Sequence, residues 1–170
     1  PHQQAAYYRG LAALFEGDLK AAEGHFKSTR EEKTIAAAAL AGLGKSALRR
    51  KDYAAAAGYF QEASGKAEVP ITADVLMAVA LRAGGKAAEA LPLLKKTLST
   101  DPLNLPAIHE LAAGNHAESK EACEKLHRLL ADDPSYFIDL ACFYLDAGLP
   151  GEAGTVLAEA LKQKPAALAT

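Results

Sequence analysis

Four times along the chain a small residue is followed twelve positions later by Ala and sixteen later by a bulky apolar residue. These runs are Gly10-Ala22-Phe26, Gly44-Ala56-Phe60, Ala78-Ala90-Leu94 and Ala141-Ala153-Leu157. A fifth run, Glu110-Ala122-Leu126, keeps the spacing but puts a carboxylic acid at the small position. An internal period near 34 residues constrains the fold more than any other feature, because it marks one supersecondary unit copied in series. A single helix pair cannot bury its own apolar face, so successive pairs must stack. The pattern is also silent on chemistry: a stack of helices presents surfaces, and nothing in its repeat performs a reaction.

Composition agrees with this reading. Half of the 170 residues are apolar, only 6% are aromatic, and there is no Trp. Ala and other small residues let helices approach closely, which suits a stack better than a core of large side chains. No apolar run is long enough to span a membrane, and no basic-then-apolar leader is visible. Starting at Pro1, the chain reads as a piece of a longer protein. The two cysteines, Cys123 and Cys142, form no Cys-x-x-Cys pair and fit a reducing, cytoplasmic setting. A net charge of −2 gives no global field for nucleic acid. The charge is uneven, however: residues 1–100 carry 14 Lys and Arg against 10 Asp and Glu, whereas residues 101–170 carry 5 against 11.

The helix boundaries are punctuated by turn chemistry. In the first repeat, helices over 3–16 and 19–32 flank Gly17-Asp18, where Gly takes the left-handed conformation and Asp caps the helix that follows. The second repeat turns at Lys51-Asp52, and Pro70 prevents its second helix from continuing. The third turns at Gly84-Gly85 and carries Pro92 inside its second helix. The fourth is degenerate, with a short helix over 103–113, a break at Gly114-Asn115, and a second helix over 117–131. The fifth has a helix over 136–147, a turn at Gly148-Leu149, and Pro150 at a helix start, where its missing N–H costs nothing.

With these residues in register, the helix pairs resemble tetratricopeptide repeats over nearly the whole chain, with units at about 3–36, 37–70, 71–104, 103–134 and 134–165. The resemblance implies an all-α, right-handed α-solenoid of five helix-turn-helix pairs in a single array. The order Asp101-Pro-Leu-Asn104, Asp133-Pro134, Tyr136-Phe-Ile-Asp-Leu-Ala141, Tyr144 and Ala147-Gly-Leu149 is similar to the repeat region of large bacterial proteins. In those proteins a β-rich domain linked to carbohydrate chemistry precedes the array, which implies that any catalysis lies outside these residues.

In such repeats the first helix of each pair lines a concave groove. Carried over position by position, the resemblance places there Gln4, Tyr7, Leu11 and Phe15, then Ala41, Lys45 and Arg49, then Thr72, Val75, Val79 and Arg82. Asn104, Ile108 and Leu111 follow, and Ser135, Ile138, Cys142 and Asp146 complete the lining. Lys45, Arg49 and Arg82 would supply basic points for an acidic segment or a carboxylate. The carboxylate clamp of chaperone-binding relatives is absent: Tyr7 and Leu11 stand where its Lys and Asn belong, and Gly42 where its second Asn does.

Chemical sites are poorly supported. His109, His116, Cys123 and His127 form the one cluster of metal-ligand types, but closed structural sites show tighter paired spacing. There is no nucleophile motif around His25 and no Gly-rich phosphate loop after a strand. Glu31-Glu32 and Asp132-Asp133 sit at helix ends, where acids more often cap or solvate than catalyse. The expectation is therefore a non-catalytic scaffold with no cofactor and no metal. Its partner would be a protein, a peptide or another domain of the same protein, not nucleic acid or membrane. An uncovered strip of Leu157, Ala160 and Leu161 on the last helix would favour self-association.

Overall fold

The computed structural model describes residues 2–68, 71–114, 119–130 and 135–163. Among them are ten α-helices and no strand. In order these are α1 (His2–Glu16), α2 (Leu19–Thr29), α3 (Ala36–Arg49), α4 (Tyr53–Lys66) and α5 (Ile71–Ala83), then α6 (Ala87–Thr100), α7 (Leu105–Ala113), α8 (Ser119–Leu130), α9 (Ser135–Ala147) and α10 (Pro150–Gln163). Odd-numbered helices are thus the first members of the pairs. The chain divides into two compact units, Pro1–Leu93 and Leu94–Thr170.

In the first unit each helix packs on the next from α1 to α5, and α1 also reaches α3. The fit depends on rings seated against glycine. Phe26 and Phe60 are fully buried. A Cβ added to Gly10 would stand 2.8 Å from the Phe26 ring, one at Gly42 would stand 2.6 Å from it, and one at Gly44 would stand 2.5 Å from Phe60. Gly10 and Gly42 therefore clasp one ring between α1 and α3. Leu43, Leu48 and Ala63 complete the buried surface, as their helical spacing requires. A partly buried polar tie adds to it: the Ser64 hydroxyl of α4 donates to the Asp74 carboxylate of α5 at 2.6 Å.

The turns inside the first, second, third and fifth pairs share one geometry. Gly17, Gly85 and Gly148 adopt φ of 85°, 79° and 84°, and Lys51 occupies the same place at 61°. The Lys51 N–H bonds to the Leu48 carbonyl and the Asp52 N–H to the Ala47 carbonyl, which closes the end of α3. Asp18 and Asp52 then cap the following helices, accepting from the N–H of Ala21 at 2.9 Å and of Ala55 at 3.2 Å.

In the second unit α7 packs on α8, α9 packs on α10, and α7 also meets α9. Asn104 caps α7 by accepting from the Ala107 N–H at 3.1 Å, and Pro106 sits in the first turn, where its missing N–H is harmless. Tyr136, Phe137, Leu140, Ala141, Tyr144 and Ala147 form the buried side of α9. On α10 the buried residues are Ala153, Val156 and Ala160. The bulky packing role there falls to Val156, while Leu157 is 37% exposed. Ala160 is covered, so the expected bare strip reduces to Leu157 and Leu161.

Candidate interaction surface

The expected lining separates into three groups. Gln4, Phe15, Thr72, Ser135, Ile138, Cys142 and Asp146 are exposed. Tyr7, Leu11, Ala41, Lys45, Arg49, Arg82 and Asn104 are half-buried. Val75, Val79, Ile108 and Leu111 are buried, so they belong to the packing and offer no surface to a partner. Tyr7, Leu11 and Ala41 also pack against the core of the first unit, and the Tyr7 ring lies 5.9 Å from that of Phe26.

Two of the polar residues have structural duties. The Arg49 guanidinium donates to the Leu14 carbonyl near the end of α1, which also accepts from the Gly17 N–H at 3.3 Å. Arg49 is therefore a bond between repeats as well as a cation on α3. Its neighbour Arg50 pairs with Glu23 of α2. The Asn104 amide caps α7 and also donates to Asp101 at 3.1 Å.

Lys45 and Arg82 are half-buried on α3 and α5 of unit 1. Away from the expected lining, the same unit holds a cleft of about 560 Å³ between α4 and α5, walled by Tyr53, Ala57, Gly58, Met77, Leu81 and Gly84.

Unit 2 presents a different surface. Along α9, Ile138 and Leu145 are 48% and 50% exposed, with Cys142 between them on the same face. Leu145 is absent from the sequence-based lining. Its spacing from Ile138 and Cys142 (i, i+4, i+7) is the signal that identifies it. Asp139 and Asp146 are exposed seven residues apart and run along one edge of this stripe. Neither α7 nor α9 contains Lys or Arg.

The degenerate repeat has an internal explanation. Glu110, at the small-residue position, is buried and accepts a hydrogen bond from the Tyr144 hydroxyl. That hydroxyl lies 2.8 Å from His109 Nδ1; having given its proton to Glu110, it accepts from an Nδ1–H. At this position a polar chain thus ties α7 to α9 of the following pair. His116 and the side chains of Cys123 and His127 lie outside the described residues. Among those described, no group of three His, Cys, Asp or Glu is arranged to hold a metal, and no helix is long and apolar enough to cross a membrane.

No protein-family model matches the chain, and no curated protein matches it in sequence. Solved structures do share its fold. MamA superposes with a TM-score of 0.69 at 17% identity, over 96% of this chain and 92% of that one. YrrB, a TPR protein with an unusual peptide-binding site, gives a TM-score of 0.64 at 16% identity, over 95% and 86%. A further MamA structure, from MSR-1, gives 0.64 at 15% identity over 96% and 97%. The fold is therefore an all-α helical-repeat solenoid of the tetratricopeptide type.

Proposed function

We propose that the chain is a non-catalytic interaction scaffold that holds a protein or peptide segment against the first helices of its pairs. The observation that carries this reading is the exposure of apolar side chains on those helices, with Phe15 on α1 and Ile138 and Leu145 on α9 standing in solvent. Isolated apolar residues are ordinary on a surface, but a stripe at helical spacing marks a contact face. The fold shared with YrrB, a protein with a peptide-binding site, supports the same assignment.

A photo-crosslinking amino acid at Gln4, Thr72 or Ile138, used with a displayed peptide library, tests it. Selected peptides should crosslink at these positions and not at Glu62 of α4 or Gly154 of α10. Capture confined to the second helices would refute the assignment. Reversing Lys45 and Arg82 to Glu should reduce binding of acidic peptides to the first unit; Arg49 is left intact because of its bond to Leu14.

A second reading, favoured by the residue order from Asp101 to Leu149, makes the array an accessory part of a larger, carbohydrate-active bacterial protein. There the partner would be its own β-rich domain or a dimer mate, and the reading frame upstream of Pro1 would encode that domain. Self-association would use Leu157 and Leu161 of α10. Light scattering over a concentration series should show oligomers that Leu161→Ser abolishes, and a strictly monomeric wild type would dismiss this contact.

A further inference from the structure

We infer that the cleft between α4 and α5 binds a linear amphipathic carboxylate, a medium-chain fatty acid, with its chain along α4 and its head beside Lys51. This goes beyond the scaffold reading and does not depend on it, because the cleft lies apart from the expected lining. Small residues at helical spacing shape it. Ala54, Ala57 and Gly58 of α4 form one wall, and Ala80, Leu81 and Gly84 at the end of α5 face them. Five of these six are Ala or Gly, and the space they leave is about 560 Å³, within the range of small-molecule sites. A Cβ added to Gly58 would meet nothing within 4 Å. From Ala54 to Gln61 the slot follows α4 for about 10 Å, the length of a short alkyl chain.

The preceding repeat holds its own side chains at the same place. One period of 34 residues earlier, Glu23 stands for Ala57 and Arg50 for Gly84, and the two form an ion pair. Lys20 and Ser46 stand for Ala54 and Ala80. At the second site each of these polar side chains is replaced by Ala or Gly, so the walls offer nothing to a polar body and suit an apolar one. Charge then sets the orientation. The charged groups at the cleft are Lys51, Asp52, Lys86 and Glu89. Asp52 accepts from the Ala55 N–H at 3.2 Å, and Lys86 pairs with Glu89 at 3.2 Å. Of the four, Lys51 alone has no side-chain partner among the described residues. It also holds φ of 61° at a turn where three other pairs use Gly, so a cation is kept at this end against the backbone preference. Gln61, at the far end, is uncharged. A carboxylate beside Lys51 with an alkyl chain running toward Gln61 meets both conditions.

Calorimetric titration of the whole chain with octanoate, octanol and octyltrimethylammonium, each below its micelle concentration, tests this. Octanoate should bind at one site, octanol about fivefold more weakly, as an exposed ion pair permits, and the cation more weakly still. Gly58→Leu fills the slot from an open position of α4 and should abolish binding. Gly24→Leu makes the same change one repeat earlier, where a Cβ also meets nothing, and should leave binding unchanged. Both replace a Gly inside a helix, so circular dichroism should show helicity kept or raised. Lys51→Gly preserves the turn and should weaken octanoate about fivefold while leaving octanol unaffected. No octanoate binding, binding that survives Gly58→Leu, an equal loss from Gly24→Leu, or equal affinity for anion and cation would each overturn the inference. Failure here is separable from failure of the scaffold reading, since peptides crosslinked to the first helices would leave the scaffold standing and remove only this ligand.

Discussion

At one position of the repeat, the two units place opposite chemistry: a glycine in the first and a carboxylic acid in the second. The first sets Gly44 against the Phe60 ring, so that two backbones close on an aromatic face. The second sets Glu110 under the Tyr144 hydroxyl, with His109 on the other side of that oxygen. An apolar contact tolerates small shifts in angle, whereas a buried hydrogen bond fixes direction and is costly when broken. The first unit gains from close fit, and the second gains a defined register between α7 and α9.

Substitutions can break this contrast. The largest expected effect is Phe60→Ala, about 4 kcal/mol through the void left beside Gly44, with Leu126→Ala next at about 3 kcal/mol. Urea unfolding followed by circular dichroism measures both, and a melt unmoved by either would show that the repeat register is wrong. Gly44→Ala should cost about 2 kcal/mol, because the new methyl meets a ring with no room to retreat. In the second unit, Glu110→Ala or Tyr144→Phe should each cost about 2 kcal/mol by stranding a buried polar partner, and the double variant should lose less than the two together. Strict additivity in that cycle would mean the bond contributes no register. The smallest effect is a gain. Lys51→Gly should stabilise the second turn by about 1 kcal/mol, since Lys51 alone among the described residues holds a left-handed φ without being Gly.

Much of this architecture is written in local spacing. The caps at Asp18 and Asp52 and the Pro150 helix start are fixed by residues within one or two turns of each other, and the glycine-to-ring contact by a constant interval of 16 residues between neighbouring helices. The surface was harder to read, for a reason that particular residues make plain. Periodicity tells which side of α5 Val75 and Val79 occupy, but not how much room lies beside that side, and both are buried. Arg49 scans as a groove cation because its acceptor, the Leu14 carbonyl, is a backbone atom 35 residues away and invisible to side-chain patterns. Glu110 scans as decay because its donor, Tyr144, belongs to the following repeat. Leu145 shows the converse, since the helical arithmetic that placed Ile138 already implied it.

The adjacent arginines at the end of α3 have a consequence for how the molecule comes apart. Arg49 fastens to α1 and Arg50 to α2, so the opening hairpin is riveted at both of its limbs by two consecutive side chains of the next. It should not peel away alone. Deuterium uptake in α1 should rise only when α3 loosens.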